Sequence, residues 1–157
     1  MIPNWMRATL CALVVFPALA SAPARAAWEA SAGYADELDD EASWTTHVTW
    51  LSEHRYPWEV TAGFIAERED LQPQPSPDTF YVSFARRYVH RSGFFFAGGI
   101  ALANTNGDDE VLSGPLQFVN GIGWQGTRIV VAFRHISNGS TRGRNRGENL
   151  LTVGWRF

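Results

Sequence analysis

Apolar and polar residues alternate with period two along most of this chain. This spacing is expected for β-strands, whose successive side chains point to opposite faces. The pattern predicts eight strands, at 28–35, 43–51, 57–66, 79–89, 94–103, 115–124, 127–136 and 148–157. One face of each strand is apolar or aromatic, and the opposite face carries small or polar residues. The chain is therefore predicted to be all-β.

The connections between these strands alternate in length. The long ones are 36–42, 67–78, 104–114 and 137–147, and the short ones are 52–56, 90–93 and 125–126. Bacterial outer-membrane barrels combine this rhythm with an even strand number. Closure satisfies every backbone hydrogen bond, which hydrocarbon requires. We therefore predict an eight-stranded antiparallel transmembrane β-barrel of the outer-membrane type, rather than a soluble β-sandwich. So small a barrel holds only side chains or one small ligand, which disfavours a porin.

Aromatic residues lie near the ends of the predicted strands, as in the girdles of membrane barrels. With both termini in the periplasm, the inner-interface set is Trp28, Trp50, Trp58, Tyr88, Phe94, Trp124 and Phe157, and the outer set is Trp44 and Phe80. Arg86 departs from the pattern, because it shares the apolar face of the fourth strand. Either it extends to the interface or a bulge shifts the register there.

The first 26 residues are typical of a cleaved secretory signal peptide. Arg7 precedes a mostly apolar run from Ala8 to Ala22, and Ala24-Arg25-Ala26 is an A-x-A-like cleavage site. The run is shorter than the ~20 residues of a spanning helix. Residues 27–157 are then predicted to form a single β-barrel domain. Cys11 is removed with the signal, so no disulfide is expected.

The net charge of the chain argues against one class of function. The chain contains no lysine, and removal of 1–26 leaves 11 arginines against 16 acidic residues, a net charge of −5. This argues against nucleic-acid binding.

His47, His54 and His90 have no ligand-like spacing, and the run 108–110 fits no EF-hand loop. We therefore expect no metal and no cofactor.

Residues 133–157 carry the candidate chemistry. His135 and Ser137 are two apart, so on a strand they point the same way, continuing the apolar face of the seventh strand. Serine is a weak nucleophile that needs a base within hydrogen-bond reach, and histidine is such a base. An acid on the other ring nitrogen would fix the tautomer and stabilise the imidazolium. Asn138 or nearby backbone N–H groups are candidate oxyanion donors.

This segment resembles the lipid A 3-O-deacylase (PagL-type, acyloxyacyl hydrolase) family. The resemblance rests on His135-Ile136-Ser137-Asn138, the run Asn145-Arg146-Gly147-Glu148-Asn149 and the closing aromatic strand. It implies an eight-stranded outer-membrane barrel that hydrolyses the ester-linked 3-hydroxyacyl chain at position 3 of lipid A, with a Ser-His-Glu triad facing lipid. It also implies that His135 is the base, Ser137 the nucleophile and Asn138 an oxyanion contributor.

The acid departs from the family pattern. The family glutamate would fall at Asn149, whereas this chain has Glu148 directly after Gly147. Either Glu148 serves with a one-residue shift, or Asn149 orients the histidine as a neutral partner. We predict Glu148 as the acid.

Lipopolysaccharide and outer-membrane lipid are the expected partners, with a homodimer as a candidate assembly. Arg142, Arg144 and Arg146 could dock lipid phosphates or simply be solvated. The alternative function is a non-enzymatic outer-membrane barrel with a structural or interaction role.

Overall fold

Eight strands form the fold. The computed structural model describes residues 27–36, 42–68, 76–105, 111–143 and 145–157, and the predicted signal peptide lies outside them. The strands are β1 (Ala27–Asp36), β2 (Ser43–Leu51), β3 (Trp58–Ile65), β4 (Thr79–Val89), β5 (Phe94–Ala103), β6 (Leu116–Gln125), β7 (Ile129–Ser137) and β8 (Glu148–Arg156). Every boundary lies within two residues of its prediction. In the described part of the chain, no helix is long and apolar enough to cross a membrane.

The strands close into a barrel. Each strand pairs antiparallel with its neighbours in sequence, and β1 pairs with β8 to complete the ring. The predicted fold class is thereby confirmed. We call the end of the barrel with the long connections the loop end and the end with the short connections the turn end.

The barrel places apolar side chains outside and polar ones inside. Large apolar residues such as Phe80, Leu102 and Val153 are more than half exposed on the outer surface. Thr45, Thr49 and Gln117 are fully buried in the interior. A soluble protein rarely exposes apolar surface so continuously. This inversion is typical of a barrel surrounded by hydrocarbon.

Ion pairs fill the interior toward the turn end. Nε of Arg87 donates to Glu59 Oε2 at 2.7 Å, and its Nη2 donates to Glu29 Oε2 at 2.8 Å. Arg134 also donates to Glu59, and Arg156 Nε donates to Glu29 Oε1 at 3.0 Å. All but Arg156 are almost completely buried. The interior is thus a packed ionic core, and each charge in it has partners of opposite sign.

Apolar residues close the interior toward the loop end. Val111 and Leu112, in the connection between β5 and β6, are buried there. They belong to one buried cluster with Ile136 of β7 and Leu150 of β8. The β5–β6 connection therefore supports the tops of β7 and β8 from inside.

Arg86 keeps its outward position without a bulge. The β3–β4 register runs uninterrupted through the pair Trp58–Arg86. The guanidinium carbon lies 4.4 Å from the centroid of the Trp58 ring, and that ring stacks on Phe84 at 4.7 Å. Trp58 begins β3 at the turn end, so this cation–π contact holds the charge near the strand terminus.

Candidate active site

His135 and Ser137 lie on the outer face of β7 at the loop end. His135 Nε2 and Ser137 Oγ are 3.0 Å apart, within hydrogen-bond distance. Both side chains are partly exposed. They follow the exposed Phe133 in the same register, as the alternation predicts. The structure thus brings the predicted base and nucleophile together on the surface that faces hydrocarbon.

Asn149 holds the other side of the imidazole. It pairs with His135 across β7 and β8, and its Oδ1 lies 2.9 Å from His135 Nδ1. Its Nδ2 donates to the Asp36 carbonyl at 3.0 Å. A carbonyl only accepts, so the NH₂ group must face Asp36 and the oxygen must face the ring. Nδ1 therefore carries the proton, and Nε2 is free to accept from the serine hydroxyl.

Glu148 and the His135 imidazole lie on opposite faces of the sheet, so the structure does not bring the predicted acid and base together, and a role for Glu148 in the reaction stays a prediction. It pairs across the sheet with Ile136, so its side chain points to the opposite face from His135. Inside the barrel it accepts from both terminal nitrogens of Arg68, with Nη1 to Oε2 at 3.1 Å. The alternation of the strand is the physical reason, because neighbouring residues cannot share a face.

Asn138 also points inward and fixes the loop. Its Nδ2 donates to the Ser113 carbonyl at 2.6 Å and to the Arg142 carbonyl at 2.9 Å. The side chain is buried, so both amide hydrogens are committed to the loop. The side-chain amide hydrogens therefore already have acceptors in the loop, and a contribution of Asn138 to an oxyanion site stays a prediction. Its contacts join the β5–β6 connection to the turn after Ser137.

Gly147 leaves the space in which the imidazole and the serine meet. Its φ is +78°, a region that favours glycine. A Cβ there would lie 2.6 Å from His135 Cε1 and 3.0 Å from Ser137 Cβ. Its N–H donates to the Val111 carbonyl at 2.9 Å. Any side chain at 147 would displace the pair.

The loop arginines are only partly described. Arg142 is exposed, Arg146 is half-buried, and Arg144 lies outside the described residues. The acidic run 108–110 and most of the proline-rich segment 72–77 also lie outside them. Among the residues that are described, no group of three His, Cys, Asp or Glu side chains could hold a metal ion.

A second His-x-Ser pair shows that this spacing alone identifies nothing. His90 Nδ1 and Ser92 Oγ are 2.8 Å apart in the exposed turn between β4 and β5. The pair at 135 and 137 differs in its surroundings, because Asn149 fixes the ring from its other side. Sequence reasoning offered Asn149 only as the second choice. The sequence pointed to Asn149 through the strand alternation, which puts it on the same face as Leu151.

Comparisons with known proteins identify the family and the fold of this chain. A family model described as lipid A 3-O-deacylase (PagL) matches residues 24–157. Among solved structures, the "Crystal structure of the outer membrane enzyme PagL" superposes with a TM-score of 0.60 at 16% sequence identity. The alignment covers 83% of this chain and 98% of that chain, so the fold is shared. No curated protein matches the chain.

Proposed function

Because the chain belongs to the lipid A 3-O-deacylase (PagL) family, we propose that Ser137 and His135 are the pair with which it hydrolyses lipid A. The bond cleaved is the ester of the 3-hydroxyacyl chain at position 3 of lipid A in lipopolysaccharide. One observation carries the assignment, the 3.0 Å contact between His135 Nε2 and Ser137 Oγ on the outer apolar face. An ester bond of a membrane lipid reaches that face without leaving the bilayer.

In the proposed reaction the acyl group is transferred twice, first to Ser137 and then to water. Ser137 Oγ attacks the ester carbonyl carbon while His135 Nε2 takes the hydroxyl proton. The tetrahedral intermediate collapses, and His135 returns the proton to the departing sugar oxygen. Water, deprotonated by the same nitrogen, then attacks the acyl-serine. The products are the free hydroxy fatty acid, the deacylated lipid and the original serine.

Asn149 is the positioning residue in this proposal. As a neutral acceptor on Nδ1 it holds the ring in the tautomer that leaves Nε2 available. A carboxylate in that place would stabilise the transient imidazolium more strongly. The geometry of a triad is thus kept with a weaker electrostatic contribution.

We assign the oxyanion donors to the backbone after Asn138. Gly139 and Ser140 both have positive φ, at 61° and 59°. Neither N–H has an acceptor among the described residues. Ser140 is the only non-glycine residue of the described ranges with positive φ, and such strain clusters where function requires it. We therefore assign these two N–H groups to the stabilisation of the negative oxygen that forms next to Ser137.

Mass spectrometry of lipid A tests the proposal. We expect a Gram-negative host expressing the wild type to lose one 3-hydroxyacyl chain, and hosts expressing Ser137→Ala or His135→Ala to keep it. Ser92→Ala is the matched control, because it removes the hydroxyl of the other His-x-Ser pair. It should act like the wild type.

Unchanged lipid A in every strain, with the barrel folded in the membrane, would favour the non-enzymatic role instead. The homodimer stays a prediction, which crosslinking in intact membranes would test.

A further inference from the structure

The outer faces of β5 and β6 break their apolar pattern at one cross-strand pair. Four of the five outward pairs join large apolar residues, namely Phe94–Trp124, Phe96–Ile122, Ile100–Phe118 and Leu102–Leu116. The remaining pair joins Gly98 and Asn120, in the middle of the series. An amide facing hydrocarbon is costly, and such residues tend to be functional.

Asn120 is the neighbour of His135 in the sheet. The two residues pair across β6 and β7, so Asn149, His135, Asn120 and Gly98 form one row across four strands. Asn120 is exposed, and its side chain has no hydrogen-bond partner among the described residues. Both ring nitrogens of His135 already have partners. The amide is therefore not required to orient the imidazole.

Gly98 creates a shallow notch beside this amide. A Cβ at Gly98 would lie 3.5 Å from the Phe96 ring and 3.7 Å from Asn120 Oδ1. The amide oxygen thus leans over β5, and the notch lies between it and an aromatic ring. Ser137 ends β7 at the loop end, whereas Asn120 is in the middle of β6. A path from Ser137 to the notch therefore leads toward the middle of the bilayer, as an acyl chain does.

We propose that Asn120 binds the hydroxyl group on C3 of the acyl chain and that the Gly98 notch receives that chain. This inference rests on the function proposed above and identifies the part of the substrate that is recognised. The hydroxyl lies two carbons beyond the ester carbonyl carbon that Ser137 attacks. Ser137 pairs with Phe118, two residues from Asn120, so the two sites are diagonal neighbours about 7–8 Å apart at their backbones.

The chemistry of the two groups is complementary. A carboxamide offers two N–H donors and an oxygen acceptor, and a hydroxyl offers one donor and two lone pairs. In hydrocarbon neither finds water, so each satisfies the other. A chain without the hydroxyl would leave the amide unpaired, which makes Asn120 a specificity-determining residue rather than a catalytic one.

The test compares two synthetic lipid A esters of equal chain length, with and without the 3-hydroxyl, in mixed detergent micelles. We expect the wild type to prefer the hydroxylated ester by about tenfold in kcat/KM, the effect of one hydrogen bond in a dry site. Asn120→Leu should lose this preference, because hydrolysis of the hydroxylated ester falls while that of the plain ester does not. Leucine suits a lipid-facing strand, so the variant should fold.

Gly98→Val provides the comparison variant. A branched side chain would fill the notch, so we expect kcat/KM to fall for both esters alike. Equal wild-type rates on the two esters would overturn the inference and leave the proposed function standing. Equal losses on both esters in Asn120→Leu would also overturn it, because the amide would then support the site as a whole. A wild type that cleaves neither ester overturns the proposed function and this inference with it.

Discussion

Asn149 Oδ1 lies 2.9 Å from His135 Nδ1, and the other end of the same amide donates to the Asp36 carbonyl. The second bond determines the first, because it leaves only the oxygen to face the imidazole. β1 thus contributes to a site carried by β7 and β8 through one main-chain carbonyl. The closure of the barrel between β1 and β8 is what brings that carbonyl into reach.

Two replacements of Asn149 should distinguish the effect of orienting His135 from the effect of a negative charge beside it. We expect Asn149→Ala to lower kcat about 100-fold, because the ring loses the partner that positions it. Asn149→Asp should raise kcat above the wild type, because a carboxylate stabilises the imidazolium. The same change loses the donor to Asp36, so stability should fall by about 1–3 kcal/mol. Steady-state kinetics on a lipid A ester and urea unfolding measure the two effects. A kcat for Asn149→Asp as low as for Asn149→Ala would contradict the neutral-partner role.

Glu148 should matter for stability and not for chemistry. Glu148→Gln removes one charge of the buried pair with Arg68 and should destabilise the barrel by about 3–5 kcal/mol. We expect kcat of the folded fraction to stay within a few-fold of the wild type. The measurement is kcat normalised to heat-modifiable, folded protein. Loss of activity equal to that of Ser137→Ala would restore Glu148 as the catalytic acid.

Gly147→Ala should abolish activity by crowding. Alanine at φ +78° costs about 1–3 kcal/mol of strain, and its Cβ would push His135 away from Ser137. Gly143→Ala is the matched control, since Gly143 has φ +69° but a Cβ there would lie 3.8 Å from Ser113 Oγ. The urea concentration at which the protein unfolds should fall by a similar amount in both variants. Only Gly147→Ala should lose hydrolysis. Equal activity in the two would show that crowding at 147 is harmless.

The interior ion pairs should dominate the stability of the barrel. Glu59→Ala leaves Arg87 and Arg134 without a shared carboxylate, and we expect a loss of about 3–5 kcal/mol in the free energy of unfolding. Glu53→Ala, in the exposed turn after β2, removes the same side chain and should change it by less than about 0.5 kcal/mol. Urea unfolding in liposomes compares them. Similar values for both variants would mean that the network contributes little net stability.

Alternation predicted the barrel well because the outer face tolerates only apolar residues. It placed His135 and Ser137 on one face for the same reason. Alternation alone did not decide between Glu148 and Asn149. The position in the strand favoured Asn149, whereas the acidic residue type that the resemblance implies favoured Glu148. Arg68 lies beyond the end of β3, where no period identifies a side chain's direction. The pair between Glu59 and Arg134 joins residues 75 positions apart, which only barrel closure brings together.

Because the proposed nucleophile Ser137 faces outward, the proposed reaction takes place within the plane of the membrane. In that proposal the substrate arrives by lateral diffusion in a leaflet and does not enter through the barrel, whose interior is packed with side chains. The relevant concentration is the mole fraction of lipid A around the barrel, and inert lipid competes for the same perimeter. Dilution with other lipids or detergent should therefore slow turnover even when the amounts of protein and substrate in the sample are unchanged.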